Sequence, residues 1–266
     1  MDFVYLPTES ELGRLLRPDN DGVRLVIGSV RSLSIPAELD ANKLVSHHCA
    51  ILAATGGGKS WLAGVIIEEL VLRVEVPIII IDPHGEYSAM QVPKSLSDDA
   101  KYVAGLVRVY VPGKVDTASL DDYFRARFGV ERRYVRFGIN PRSLSLRLME
   151  GLLDHYYGLT DAQRRILEEA WQYIGIDNEL TSIDEFLSDL EKSGSKVVRG
   201  YGNELALSTL LTKVKMLIEN RPFFITRPGE FYGNEPIRLL DIKDLMEYGI
   251  HVLDLSGLDL IDQQAS

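Results

Sequence analysis

The sequence predicts an α/β protein with a mainly parallel sheet built around a phosphate-binding loop, an all-helical insertion and a short β-rich N-terminal segment. Three observations carry this reading. The apolar run Cys49-Ala50-Ile51-Leu52-Ala53 passes through Ala54-Thr55-Gly56-Gly57-Gly58 into Lys59-Ser60 and the amphipathic stretch Trp61 to Arg73, an order of strand, glycine loop, helix. Ile78-Ile79-Ile80-Ile81-Asp82 then supplies a second strand and completes a βαβ unit. Residues 143 to 222 show helical periodicity with no strand among them, and an α/β pattern returns only afterwards.

In chain order, residues 1–45 carry little helical periodicity, and Val23 to Val30 reads as a strand after the turn Asp19-Asn20-Asp21-Gly22. A second extended piece, Leu33 to Ile35, is expected to stop at Pro36. Ser46-His47-His48 leads into the Cys49 strand, and neighbouring histidines on a strand point to opposite faces, which argues against a shared metal.

The loop matches G-x-x-x-x-G-K-[ST] except that Ala53 stands at the first glycine position, a methyl that is tolerable if φ stays negative. Consecutive glycines let several N–H groups converge on one anion, and the following helix points its positive end at the same place. Thr55, Gly56, Gly57, Gly58, Lys59, Ser60 and Trp61 are therefore the candidate nucleotide-binding residues. Lys59 is expected to reach the β- and γ-phosphates of ATP and the Ser60 hydroxyl to join the shell of Mg²⁺. A glycine-rich turn with a surface lysine is the competing explanation, and the flanking strand and helix disfavour it.

Trp61, Leu62, Val65, Ile66 and Leu70 trace one helix face, and the four isoleucines that follow Pro77 read as a strand buried on both sides. That strand ends in Asp82-Pro83-His84-Gly85-Glu86-Tyr87, on the edge of a parallel sheet where ligands sit. Asp82 and Glu86 are candidates to hold Mg²⁺, directly or through water, or to orient an attacking water, and His84 to touch phosphate. A turn closed by a locally hydrogen-bonding aspartate explains the same residues.

Leu106 to Val111 reads as another strand, ended by Pro112-Gly113. From Arg125 to Arg147 there are seven arginines (125, 127, 132, 133, 136, 142, 147) against one acid, Glu131. A solvated face is the ordinary meaning of such a window, and a nucleic-acid or phosphate contact is the other. Four helices follow: Ser143 to His155; one opened by the capping box Thr160-Asp161-Ala162-Gln163 and stopped by Gly175; one opened by Ser182-Ile183-Asp184-Glu185 and ending near Gly194; and Glu204 to Glu219. Ile237 to Leu240 and Ile250 to Asp254 read as strands around a helical turn between Asp241 and Tyr248. The expected organisation is 1–45 β-rich segment, 46–142 first part of the core, 143–222 helical insertion and 223–266 second part of the core.

A net charge of −10 means that any contact with nucleic acid must come from a local basic surface. The single cysteine, Cys49, rules out intrachain disulfides and cysteine-based zinc, fits a reducing, cytoplasmic setting, and is expected as a small buried residue. Met1 to Pro7 lacks the basic and apolar regions of a signal peptide, and no apolar run is long enough to span a membrane.

The block His48 to Ser60, the turn Ile81-Asp82-Pro83-His84-Gly85-Glu86-Tyr87 and the late run Val252-Leu253-Asp254-Leu255-Ser256-Gly257-Leu258 occur in that order, with helices between the last two. Together they resemble the HerA family of DNA translocases, within the HerA–FtsK group of P-loop ATPases, over roughly residues 40 to 262. The resemblance implies a RecA-like core, a homo-hexameric ring pumping double-stranded DNA, and a NurA-type nuclease partner in DNA-end resection. It also implies that Gly58, Lys59 and Ser60 bind the triphosphate and Mg²⁺, with Asp82 and Glu86 lining the same site. Two departures go with it. The family has a fuller β-barrel ahead of the core, and a later strand ending in Asp-Glu-Ala-His or similar, followed by an arginine finger. Neither is found in the sequence, which therefore reads as a fragment expected to bind ATP–Mg²⁺ but to turn it over little. A nucleotide-binding scaffold with little hydrolysis is the alternative function; a small-molecule kinase is a weaker one, since nothing resembles a lid with paired arginines.

Overall fold

The computed structural model describes residues 7–17, 22–31, 33–174, 181–201 and 203–258, with the backbone alone at 200 and 201. Its elements in order are α1 (Glu9–Leu16), β1 (Arg24–Ser29), β2 (Pro36–Asp40), α2 (Ala41–Ser46), α3 (Lys59–Val74), β3 (Ile78–Asp82), α4 (Asp98–Leu106), β4 (Val107–Pro112), α5 (Ala118–Phe128), β5 (Val135–Gly138), α6 (Leu146–Tyr157), α7 (Asp161–Ile174), α8 (Ile183–Tyr201), α9 (Glu204–Asn220), β6 (Phe231–Tyr232), β7 (Glu235–Leu239), α10 (Ile242–Leu245) and β8 (Ile250–Asp254). Short 3₁₀ turns occupy Tyr87–Gln91 and Pro141–Ser143. Positions 19–21 of the expected first turn, Gly175 as a helix stop, and the segments 1–6 and 262–266 lie outside the described residues.

The protein is α/β, with a mainly parallel six-stranded sheet ordered β3-β8-β4-β5-β7-β6, consistent with a RecA-like P-loop domain. β5 pairs in parallel with β4 (Val111 opposite Arg136) and with β7 (Arg136 opposite Ile237), and β6 closes the end as an antiparallel two-residue strand. The chain divides into two compact units: residues 1–82, 86–108 and 243–252, and residues 83–85, 109–242 and 253–266.

In the first unit, β1 and β2 form an antiparallel pair whose bulge lies between Val26 and Gly28. β2 begins at Pro36 instead of ending there: a proline at the first position of a strand withholds an N–H where the ladder can spare one. Helix is more frequent before residue 46 than periodicity suggests. Thr8 and Glu11 form a capping box that starts α1, and the Asp40 side chain accepts the Lys43 N–H to start α2. α3 buries Gly64, Ile66 and Val71, and its Glu69 accepts the Val26 N–H of β1 at 2.7 Å. β3 was expected to be buried on both faces, but only Ile80 and Asp82 are buried while Ile79 and Ile81 are exposed. A strand needs cover on both faces to hide both sets of alternating side chains, and none of the described residues covers the set that carries Ile79 and Ile81.

In the second unit, α6 to α9 pack around Leu153, Leu167, Leu190, Leu210 and Leu217, all fully buried, with Trp171 edge-on to Phe186. The reciprocal hydrogen bonds of Thr160 with Gln163 and of Ser182 with Glu185 open α7 and α8. α8 runs through Gly194, where the sequence suggested a stop. A Cβ there would lie 2.5 Å from Leu207 Cδ1, so this glycine admits the neighbouring helix instead of ending its own.

The arginine window does not form one surface. β5 lies inside it, and Arg136 points into the unit, donating to the carbonyls of Gly113 and Val115 and pairing with Glu235. Arg132 has a fully buried side chain bound to Asp254 at 2.6 Å and Asp121 at 2.9 Å. Arg142 pairs with Asp189, whereas Arg125, Arg127, Arg133 and Arg147 are exposed.

Candidate nucleotide site

The phosphate loop lies wholly in the first unit. Residues 48–54 were expected to enter it as a core strand, but they form neither helix nor paired strand, and Cys49 is exposed rather than buried. A strand exists only where its N–H and C=O groups meet a neighbour, and none among the described residues pairs with this segment.

The loop holds its shape by local bonds. Gly57 N–H donates to the Ala54 carbonyl at 2.9 Å. Gly56 and Gly58 take φ of 75° and 81°, which only glycine adopts freely, and Gly58 caps the 16-residue α3. A Cβ on Gly57 would sit 2.9 Å from both the Ala53 methyl and the Ala54 carbonyl. The only non-glycine residue at positive φ among the described residues is Glu75, so Ala53 meets the condition its methyl imposes. Lys59 Nζ donates to the carbonyls of Ala53 at 2.9 Å and Ala54 at 3.1 Å. An ammonium, a turn whose glycines take backbone angles that side chains resist and the N–H end of a long helix are the donor set that a phosphate chain requires.

The acidic turn is anchored at its own start. Asp82 is buried and its Oδ2 accepts the Tyr87 N–H at 2.8 Å, so the locally hydrogen-bonding aspartate considered above is present. Gly85 lies at φ of 72°, and Glu86 is exposed and precedes the 3₁₀ turn. The Tyr87 hydroxyl is pushed above its usual range by burial first and then by the charges of Asp82 and Glu86. A hydroxyl and a carboxylate are the hard oxygen donors that suit Mg²⁺, which takes few protein ligands and completes its shell with phosphate and water.

Trp61 does not join the buried face of α3; it is 66% exposed, with Lys94 Nζ 4.6 Å from the ring centroid and the same ammonium 2.7 Å from Glu68. His84 belongs to the second unit, where it lines a cavity of about 420 Å³ with Asp116, Arg132, Asp254 and Ser256. Tyr87 and Arg132 are the residues that sequence reasoning passed over. The first stood in plain view at the end of the Asp82–Tyr87 turn, while the second was hidden among arginines of ordinary appearance. No helix among the described residues is long and apolar enough to cross a membrane.

The sequence matches the family described as "Helicase HerA, central domain" over residues 19–266. A stretch of 108 residues, 41% of the chain, is 33% identical to the DNA double-strand break repair helicase HerA of Pyrococcus furiosus and covers 19% of that protein. A stretch of 88 residues, 33% of the chain, is 42% identical to a probable DNA double-strand break repair helicase HerA of Methanocaldococcus jannaschii and covers 14% of it. The corresponding protein of Sulfolobus acidocaldarius is 34% identical over 90 residues, 34% of the chain and 17% of the relative. The chain therefore spans a minor part of the length of the curated relatives it matches.

Proposed function

The chain belongs to the HerA helicase central-domain family, and on that premise we propose that it is the ATP-hydrolysing motor module of a DNA repair helicase. Thr55, Gly56, Gly57, Gly58 and Lys59 bind the triphosphate, with Trp61 beside the nucleoside. Ser60 and Asp82 hold Mg²⁺, and Glu86 orients the attacking water. Bound there, Mg²⁺ would supply charge neutralisation to the triphosphate. Lys59 contributes a second positive charge once it exchanges the carbonyls of Ala53 and Ala54 for phosphate oxygens. Glu86 has no direct bond to the buried Asp82 to constrain it and lies at the exposed end of the turn, which suits a group that must meet water.

The observation that supports this reading most directly is the loop itself: Gly56 and Gly58 at positive φ lead into the N-terminus of α3, and the Lys59 ammonium lies folded onto the carbonyls of Ala53 and Ala54. In the full-length protein the same reading makes the module one subunit of a homo-hexamer that moves along double-stranded DNA, delivering ends to a NurA-type nuclease. In that arrangement residues 46–142 and 223–266 form the ATPase core, 143–222 a helical insertion and 1–45 the remnant of a β-module.

Titration calorimetry with ATP tests the nucleotide assignment. Lys59→Ala is expected to weaken binding about tenfold or more, the equivalent of one lost charge-assisted contact, and unchanged affinity would remove the phosphate-loop assignment. Phosphate release by the full-length protein, with and without duplex DNA, tests the motor: turnover that rises with DNA and vanishes in Glu86→Gln supports it, and DNA-independent turnover counts against it; the 266-residue chain alone is expected to release phosphate hardly above background. The mass of the full-length assembly with and without DNA tests the ring.

A further inference from the structure

A single exposed apolar side chain is ordinary on a protein surface, and it is ordinarily loose. Trp61 is exposed but tied down. It stands on the first turn of α3, next to Ser60 and two residues past Lys59. Trp61, Gly64 and Glu68 are spaced i, i+3, i+7 and so share one face of that helix. Lys94, just beyond the 3₁₀ turn Tyr87–Gln91, lies across this face. Its Nζ sits 4.6 Å from the centroid of the Trp61 ring and 2.7 Å from Glu68 Oε1. A Cβ on Gly64 would lie 3.9 Å from the same Nζ, so the glycine lets the ammonium rest against the helix and touch ring and carboxylate together. Ordering a lysine side chain costs rotamer entropy, which the ion pair and the ring jointly offset. The result is an indole with one face under a fixed cation and two-thirds of its surface open to solvent, in the same compact unit as the phosphate loop.

We propose that the open face of Trp61 is the platform on which the base of the bound nucleoside triphosphate stacks, a purine better than a pyrimidine, and that Lys94 is the positioning residue that holds the ring for it. The inference rests on the nucleotide-binding reading given above. Stacking needs a flat π-face and no pattern of donors and acceptors, so such a platform reads the size of a base before its identity. A ring that only anchored α3 would affect every ligand of the loop alike.

Calorimetry on the purified chain compares ATP, UTP and inorganic tripolyphosphate, which carries the phosphates without ribose or base. Trp61→Ala should weaken ATP about five- to 150-fold, the range of one base–aromatic stack, and leave tripolyphosphate unchanged. UTP should bind the parent more weakly than ATP and lose less in the variant. Lys94→Met removes the ammonium and keeps most of the stem. It should weaken ATP about two- to fivefold, the range of one exposed cation–π contact, again without effect on tripolyphosphate. On a Trp61→Ala background it should weaken ATP no further. The sequence holds two tryptophans and Trp171 is buried, so ATP should quench emission in the parent, tripolyphosphate should not, and the quench should vanish in Trp61→Phe. Unchanged ATP affinity in Trp61→Ala, equal losses for ATP and tripolyphosphate in either variant, a Lys94→Met loss that persists without the indole, UTP bound as tightly as ATP, or no quench would each overturn the proposal. A parent that binds neither ATP nor tripolyphosphate overturns the nucleotide reading itself. A parent that binds both, with Lys59→Ala weakening both, keeps that reading whatever Trp61 does.

Discussion

Lys59 and Arg132 are both cations bound to oxygen, and their surroundings differ in every other respect. Lys59 is half-exposed and bonded to two neutral carbonyls of its own loop, within six residues of itself in sequence. Arg132 has no exposed side-chain surface and is held by two carboxylates, one of them Asp254, 122 residues away. The carbonyls cannot neutralise the ammonium, so an incoming anion gains nearly the full charge. The carboxylates offset the guanidinium charge in place, so an incoming anion would have to compete with two acids already bound to it. The same formal charge is poised for a ligand in one place and committed to structure in the other, and what separates them is the partner's charge together with burial.

The largest effect is expected on the committed side. Arg132→Met leaves Asp254 buried without its counter-charge, and breaking such a pair typically costs about 3–5 kcal/mol; the urea midpoint should fall accordingly with the m-value unchanged. A midpoint equal to that of the parent would mean that the pair is not what holds Asp254. On the poised side, Lys59→Ala should reverse the pattern. ATP affinity drops by the equivalent of about 1.5–3 kcal/mol, while the urea midpoint stays within about 0.5 kcal/mol, since the bonds it loses are at the surface. A large stability loss there would erase the distinction.

Glu230 sharpens the comparison with a third kind of charge. Burial alone would push its carboxyl up, but the Thr226 N–H at 2.7 Å and the Lys114 ammonium at 3.2 Å outweigh that and hold it below its ordinary value of 4.5. Near that pH the unfolded chain therefore binds more protons than the folded one. The stabilisation is complete above pH 4.5 and is lost as the pH falls through the lower folded value. Chemical denaturation of Glu230→Gln between pH 7 and pH 3 should show a gentler acid loss than the parent, and an identical slope would discount the Lys114 pair. The smallest effect is expected at Arg133, which is exposed. Its replacement by Ala should leave the urea midpoint within about 0.5 kcal/mol. If the full-length protein contacts a phosphate through it, the slope of log K against log salt should become shallower by up to about 0.9.

Much of the fold was legible because the local signals are redundant. The β-branched runs of β1, β3 and β8 and the reciprocal Ser/Thr–Glu/Gln pairs at α7 and α8 each state one conformation with several residues. β5 was missed because Arg136 occupies an inward position and breaks the apolar alternation; the ion pair and carbonyl bonds that make its burial tolerable come from residues at 113, 115 and 235. α1 was missed because eight residues give too few turns for periodicity, although its capping box was readable. At the site, the glycine loop and the Asp82–Glu86 turn were legible from spacing. The hold of the Tyr87 N–H on the Asp82 carboxylate was not, since a backbone donor leaves no mark in the sequence. The pairing of the segment before the loop was over-read for the converse reason: an apolar run names a strand, while a neighbour's backbone makes one.

That unpaired segment gives the molecule a clock. Cys49 is the one thiol in the sequence and it is exposed, four residues ahead of Ala53, whose carbonyl holds Lys59. Its alkylation by a small maleimide needs no engineered mutation and yields a single product. The rate is a direct count of how often residue 49 is open to solvent. Any event that gives this stretch a backbone neighbour would slow the reaction, whether a second chain laid alongside or a rearrangement on loading the loop. The time course would then report the change as it happens.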